Sequence, residues 1–189
     1  MSNMIAAWHA DHANFANLLA LLETQLEVLG EGESPDYELM LDIMYYMTHY
    51  PDRMHHPFED CVFRTMKERA IGTREMFDAL IDQHTKLRES GNALFHELDD
   101  VVSGSIASRE DIATSARRYV AQFRQHMEAE ESEIIPLAAQ SLRPEDWATF
   151  RDAVAHVDDP LFGKMQLRRY TALRQHIAAQ AREGKQSVR

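Results

Sequence analysis

The stretch His55-His56-Pro57-Phe58-Glu59-Asp60 is where this sequence concentrates side chains that can do chemistry. His55 and Glu59 are four residues apart, so on a helix they lie one turn apart on the same face and can reach one metal ion. Similar residues recur at three other places. Together, the candidate metal ligands are His12, His55, Glu59, His84, His126 and Glu130.

Each candidate falls on an apolar stripe with helical spacing, as His12 does between Trp8 and Phe15. The predicted helices run over about residues 3–29, 36–71, 73–102 and from 109 towards 140, with predicted starts at Ser34-Pro35-Asp36, Thr73 and Ser108. Pro51 and Pro57 predict a kink, or a break and restart, between Tyr50 and Phe58, and Pro136 predicts a bend near the end of the fourth helix.

Four long helices joined by short loops predict an all-α fold, an up-down-up-down four-helix bundle over residues 1–140. Residues 141–189 form a predicted C-terminal helical extension, with a short helix from Pro144 to Ala155 and a final helix from Gly163 to Arg182. We expect this extension to pack on the bundle or on a partner, either a second copy of the chain or another protein.

The candidate ligands all lie on the inward-facing stripes and at similar heights along the bundle, so we expect them to meet. Burying carboxylates and imidazoles without partners costs several kcal/mol per ionised group, and a bound cation pair removes that cost. Each carboxylate can bridge two ions, with two histidines on each ion and room for a bridging oxygen and an outside ligand. Histidine and carboxylate sets suit iron, manganese or zinc, whereas calcium prefers oxygen ligands alone.

Charge and composition exclude several other classes of function. A net charge of -11 argues against a nucleic-acid-binding surface, which needs clustered Lys and Arg. The single cysteine cannot form an internal disulfide. The sequence has no apolar run long enough to span a membrane, and its start does not have the pattern of a signal peptide. We therefore expect a cytoplasmic protein.

The motifs resemble those of the hemerythrin-like, or HHE cation-binding, domain family over about residues 4–140. They are His12, Tyr50-Pro51-Asp52-x-x-His55-His56-Pro57-x-Glu59-Asp60, Gln83-His84 and His126-x-x-x-Glu130-Glu131. The resemblance implies a non-heme di-iron centre with an oxo or hydroxo bridge. It further implies that Glu59 and Glu130 are bridging ligands and that His12, His55, His84 and His126 are terminal ligands.

The sequence departs from the oxygen-carrying hemerythrins, whose third helix offers two histidines one turn apart. Here Leu80 and Arg88 flank His84, so one iron would lack a protein ligand. His56 and His49 are candidates to fill the gap, although adjacency to His55 predicts that His56 points off the stripe, either behind the ligands or at the surface. Glu131 is the alternative to Glu130 as a bridge.

Three functions fit this sequence. The first is a di-iron protein that binds or senses O2, NO or peroxide, or handles iron under oxidative or nitrosative stress. The second is an enzyme on the same centre, with peroxidase-like, NO-reducing or ferroxidase activity. The third is a helical interaction module with a structural metal such as zinc.

Overall fold

The computed structural model describes residues 2–153, 159–163 and 170–186, and its secondary structure in those ranges is entirely helical. The α-helices are α1 (Ser2–Gly30), α2 (Tyr37–Tyr50), α3 (His56–Glu68), α4 (Arg74–Val102), α5 (Arg109–Ala129), α6 (Ile135–Ser141), α7 (Pro144–Ala153) and α8 (Thr171–Gln186). Two π-helical turns, Pro51–His55 and Glu130–Ile134, join α2 to α3 and α5 to α6. The second and fourth long helices are therefore each continuous.

These elements form the predicted four-helix bundle. Around the bundle, α1 packs against α2, α2 against α4, α4 against α5, and α5 against α1. The all-α, up-down-up-down prediction is therefore confirmed. Outside the bundle, α7 packs against α3, while α8 packs against α1 and α2.

The predicted helix starts are confirmed by their caps. The side chains of Asp36, Thr73 and Ser108 each accept a hydrogen bond from the backbone N–H three residues further on. Such caps satisfy one of the backbone donors that a helix start leaves without an intrahelical partner. They fix where α2, α4 and α5 begin, and so fix the height of the histidines along the bundle.

The expected irregularity between Tyr50 and Phe58 is a widened turn. The backbone N–H of His56 donates to the carbonyl of Pro51, five residues back, and Ile135 donates to Glu130 in the same way. A proline follows each turn closely, at positions 57 and 136. Because proline cannot donate and crowds the preceding turn, a π-helical turn lets the helix continue where an α-helical one would clash.

The extension differs in detail from the prediction. The short helix α7 ends at Ala153, and the predicted last residues to Ala155 lie outside the described part of the chain. The predicted final helix corresponds to α8, which begins at Thr171, while residues 164–169 of the prediction also lie outside the described part. The division into a bundle over 1–140 and an extension over 141–189 stays a prediction.

Two apolar clusters fill the interior. The larger one contains Phe15, Tyr46, Tyr119, Phe123 and Leu173. The smaller one contains Trp8, Phe63, Phe77, Trp147 and Phe150. Both clusters hold side chains from α1, from the long second helix and from α4, so the bundle has two packed regions that leave room for a polar layer between them.

Gly72, between α3 and α4, is needed for both its backbone and its small size. Its φ is +76°, and a Cβ there would lie 3.2 Å from Leu137 and from Phe77. Gly32 has a similar φ of +86° but faces open space.

We predict that Gly32→Ala lowers the free energy of unfolding by about 1–2 kcal/mol through backbone strain. Gly72→Ala should lower the free energy of unfolding by about 1–3 kcal/mol more than Gly32→Ala, because its Cβ would also be overpacked against Leu137 and Phe77.

Urea denaturation of the two variants measures the difference between them. An equal loss of unfolding free energy in both variants would show that the packing around Gly72 relaxes freely and would contradict the prediction.

Candidate metal centre

The structure brings the predicted ligands together in a buried polar layer. One group contains His12, His55, Glu59 and Glu130, and within it one ligand atom from each residue lies within 4.8 Å of the others. A second group, with the same spacing, contains His56, Glu59, His84 and His126. Glu59 belongs to both groups.

Every long helix of the bundle contributes to this layer. His12 comes from α1 and His84 from α4, while His126 and Glu130 lie at the junction of α5 and its π-helical turn. His55 ends the π-helical turn between α2 and α3, and His56 and Glu59 lie in the first turn of α3. Both π-helical turns thus lie at the metal layer, where such turns are often found in functional sites.

His56 differs from expectation. Its side chain is buried, it belongs to the second ligand group, and its Nε2 atom has no hydrogen-bond partner. The physical reason is helix geometry. At about 100° per residue, His55 lies about 40° to one side of Glu59 and His56 about 60° to the other, so the two histidines flank the carboxylate.

The other two alternatives do not join the ligand groups. His49 stacks on Tyr45 with ring centroids 3.9 Å apart, away from the layer. Glu131 lies at its edge and accepts hydrogen bonds from His9 and His12, both at 2.7 Å. The structure therefore places His56 and Glu130 within the two ligand groups and His49 and Glu131 outside them.

Glu59 lies between the two sets of histidines. Its Oε1 is 2.7 Å from Nε2 of His55 and 3.6 Å from Nε2 of His12, whereas its Oε2 is 3.2 Å from Nε2 of His84. The two oxygens of one carboxylate thus face different histidines. This is the arrangement that a bridging carboxylate requires.

Glu130 lies between the same sets. Its Oε2 is 3.2 Å from Nε2 of His12 and 3.5 Å from Nε2 of His126, and its Oε1 is 3.9 Å from Nε2 of His84. Both carboxylates are fully buried. A pair of cations held between Glu59 and Glu130 would therefore lie within reach of every histidine in the layer.

Buried polar atoms without hydrogen bonds converge on this space. They include the Nε2 atoms of His12, His56, His84 and His126 and all carboxylate oxygens of Glu59 and Glu130. Buried polar groups in proteins are almost always hydrogen-bonded, and each exception needs an explanation. Metal coordination explains these, because nitrogen and carboxylate oxygen donors are what iron, manganese and zinc accept.

The opposite ring nitrogen of each histidine is held by a half-buried side-chain oxygen. The Nδ1 atoms of His12, His55, His56, His84 and His126 lie 2.7–3.1 Å from oxygens of Glu131, Asp11, Asp52, Asp60 and Gln83, respectively. Carboxylate and amide oxygens only accept hydrogen bonds, so each Nδ1 donates, and Nε2 is the ring atom that can bind a metal once it carries no proton.

Four of these outer partners link the helices in a closed ring. Asp11 of α1 holds His55 of the second long helix, and Asp60 of that helix holds His84 of α4. Gln83 of α4 accepts a hydrogen bond from His126 of α5. Glu131, in the π-helical turn after α5, accepts one from His12 of α1 and so closes the ring. These outer hydrogen-bond partners were not predicted from the sequence. The signal was present, because each of the four partners is adjacent in sequence to a ligand candidate on its own helix.

Aromatic rings enclose the layer. Phe15 packs edge-on against His55 at 4.9 Å between ring centroids, and Phe63 stacks with His84 at 5.9 Å. Phe123 lies 6.2 Å from both His56 and His126. These rings come from both apolar clusters, so the polar layer is sealed on two sides.

A family model described as Hemerythrin HHE cation binding domain matches residues 3–138. The chain belongs to the hemerythrin HHE cation-binding domain family. This finding confirms the resemblance seen in the motifs. The protein is therefore a metal-binding protein, and the metal in this family is typically iron. The comparisons with curated proteins and with solved structures give no significant match. In the described ranges, no helix is both long and apolar enough to cross a bilayer.

Metal binding by this HHE domain is predicted to release protons. Burial alone lowers the pKa of a histidine, but the neighbouring Glu130 and Glu59 raise the pKa of His12 to about 10. Asp60 and Glu59 likewise raise the pKa of His84 to about 10. Both rings are therefore positively charged near neutral pH, with a second proton on Nε2, and a metal must displace that proton. Affinity should rise with pH up to these pKa values.

Calorimetric titration of the metal-free protein in buffers of different ionisation enthalpy counts the protons released. An affinity that does not change with pH, with no proton release, would contradict this prediction.

The carboxylates behind the histidines should matter for metal affinity. We predict that Asp60→Ala weakens metal binding by about 10–100-fold, because His84 loses the acceptor that fixes its orientation. Asp82→Ala is the matched control. It removes an exposed carboxylate two residues from His84 that pairs instead with Lys86.

Competition with a metal-binding dye measures both affinities. Equal effects of the two substitutions would show that only the overall charge matters.

Proposed function

We propose that this HHE protein holds two iron ions and uses them to bind or sense O2, NO or peroxide, with a role in oxidative or nitrosative stress. The observation that carries the proposal is the pair of ligand groups that share Glu59. One group would supply ligands to one ion and the second group to the other, since each has donors of the types that iron binds.

We assign His12 and His55 to the first ion. We assign His56, His84 and His126 to the second ion, with Glu59 and Glu130 as bridges between the two. From the sequence we expect one ion to lack a protein ligand, because the third helix offers only His84. In this assignment His56 supplies the missing histidine from the neighbouring helix, as its position in the second group supports.

The two ions would be unequally coordinated, because one has two histidines and the other has three. The ion held by His12 and His55 would have fewer protein ligands, so an outside ligand would bind at that ion. Phe15 packs against His55 and lies 6.5 Å from His12, so the walls beside this position are apolar. A small diatomic molecule or a peroxide fits such a site better than a large polar substrate does.

The protein's part in this chemistry is positioning and exclusion of water. An iron pair supplies electrons and open coordination positions when bound. The chain holds each Nε2 lone pair towards the centre through hydrogen bonds at Nδ1, such as that from His55 to Asp11 at 3.1 Å. Burial of all the ligands keeps bulk water from competing for the open position.

Enzymatic turnover on the same centre is the second candidate, and the open position next to His12 and His55 favours it equally. Peroxide or NO reduction, or oxidation of ferrous iron, would each use that position. A cytoplasmic location stays a prediction, as does a partner, either a second copy or another protein, on the C-terminal extension.

Anaerobic reconstitution with ferrous iron tests the proposal. We expect two ions per chain by elemental analysis and new near-ultraviolet absorption after exposure to air. His56→Ala should lose one of the two ions under dilution, because the second ion loses a ligand. His49→Ala removes a histidine that lies away from the layer, and it should keep both ions.

Fewer than one iron per chain in the wild type, with no new absorption, would overturn the proposal. Tightly bound zinc that stabilises the fold and does not respond to oxygen would indicate a structural metal instead. Catalytic consumption of peroxide or NO that is lost in Glu59→Ala, with the fold retained, would identify an enzyme.

A further inference from the structure

A buried tyrosine–aspartate pair lies beside the metal layer without belonging to it. Tyr46 of α2 is fully buried, and its hydroxyl donates a hydrogen bond of 2.7 Å to Oδ2 of Asp159. Oδ1 of Asp159 accepts two backbone N–H bonds, from Leu161 and Phe162, both at 2.8 Å. The carboxylate is thus fixed through one oxygen and presents the other to the phenol.

Aromatic rings connect this pair to a candidate ligand. The ring of Phe15 lies 4.9 Å from that of His55 and 6.4 Å from that of Tyr46. Tyr50 stacks on Tyr46 at 5.4 Å and also lies 6.4 Å from Phe15. A single phenylalanine ring therefore separates the Tyr46 phenol from an imidazole of the metal layer.

The hydrogen bond to Asp159 suits Tyr46 for oxidation. Removal of one electron from a phenol makes its proton strongly acidic, and a cation left in an apolar interior would be costly. Asp159 can take that proton directly across the hydrogen bond, which leaves a neutral radical beside a neutral carboxylic acid. Burial raises the pKa of Tyr46, so the phenol keeps its proton until the electron leaves, and burial also raises the pKa of Asp159.

We propose that Tyr46 is a one-electron donor to the iron centre, with Asp159 as its proton acceptor, when the centre reduces a peroxide with only one ferrous ion. This inference rests on the proposed function, because it requires bound iron and a peroxide.

The electrons and atoms balance in this step. Cleavage of the O–O bond of hydrogen peroxide to two waters takes two electrons and two protons. One electron comes from the ferrous ion, which becomes ferric, and the other comes from Tyr46. Both protons come from solvent, and the phenolic proton stays on Asp159. By supplying the second electron, Tyr46 would protect the metal layer. Without it, the reduction of hydrogen peroxide would stop after one electron and leave a reactive oxygen species.

Tyr119 provides an internal comparison. It is also buried, and a single ring, Phe123, separates it from His56 and His126. Within the described residues, however, its hydroxyl makes no hydrogen bond to a carboxylate, although the charge of Asp52 acts on it. The two tyrosines are therefore similar in burial and in ring connectivity, and they differ in the proton acceptor.

Freeze-quenched electron paramagnetic resonance tests the proposal. The full chain, loaded with iron and poised with one ferrous ion, is mixed with hydrogen peroxide. We expect a tyrosyl radical signal in the wild type, with the same signal in Tyr119→Phe and loss of the signal in Tyr46→Phe. Asp159→Asn should also lose it, because the amide oxygen can still accept from Leu161 and Phe162 but the side chain cannot take a proton.

Iron content and thermal unfolding of each variant show whether the fold and the centre persist. If Asp159→Asn unfolds, Tyr46→Phe still decides the proposal, since it keeps the ring. A radical signal that persists in Tyr46→Phe, or that is lost in Tyr119→Phe alone, would overturn it. So would a wild type whose iron absorption responds to peroxide without any tyrosyl signal, and in that case the proposed function would stand. Failure to bind iron would overturn both.

Discussion

The rest of the structure depends on two carboxylates, Glu59 and Glu130, that are fully buried in the middle of a helical bundle. An ionised carboxylate in an apolar interior is costly unless positive charge or hydrogen bonds compensate it. Burial alone would raise the pKa of Glu59. The surrounding histidines, His55 most strongly, outweigh burial and hold this pKa well below its ordinary value. In Glu130, burial and the charge of Glu59 dominate and raise the pKa to about 7. Without metal, Glu59 is therefore ionised, whereas Glu130 is partly protonated near neutral pH, and a cation between the two carboxylates would favour the ionised form of both.

The histidines that face these carboxylates are held from behind by a ring of side chains that crosses every helix interface of the bundle. Asp11, Asp60, Gln83 and Glu131 each lie next to a ligand candidate in sequence and each hold a histidine on the next helix. A shift of one helix would therefore disturb two histidines. This arrangement couples the packing of the bundle to the geometry of the metal layer.

Sequence reasoning predicted the fold, which is confirmed, and six candidate ligands that the structure places in one buried layer, because both predictions follow from helical periodicity. A histidine such as His12 or His84 on an apolar stripe must face the core, and the caps at Asp36 and Thr73 set the heights of the helices. The inward position of His56 could not be predicted in this way. An apolar stripe marks a single face of a helix, whereas Glu59 has a histidine on each side of it, His55 and His56. The outer ring was also missed, since its contacts are between helices and periodicity describes only one helix at a time.

The most direct test of the account is anomalous diffraction at the iron absorption edge from crystals of the iron-loaded protein. We expect two peaks per chain, both between Glu59 and Glu130. One peak should lie next to His12 and His55, and the other next to His56, His84 and His126. A single peak, or peaks that do not contact Glu59, would contradict it.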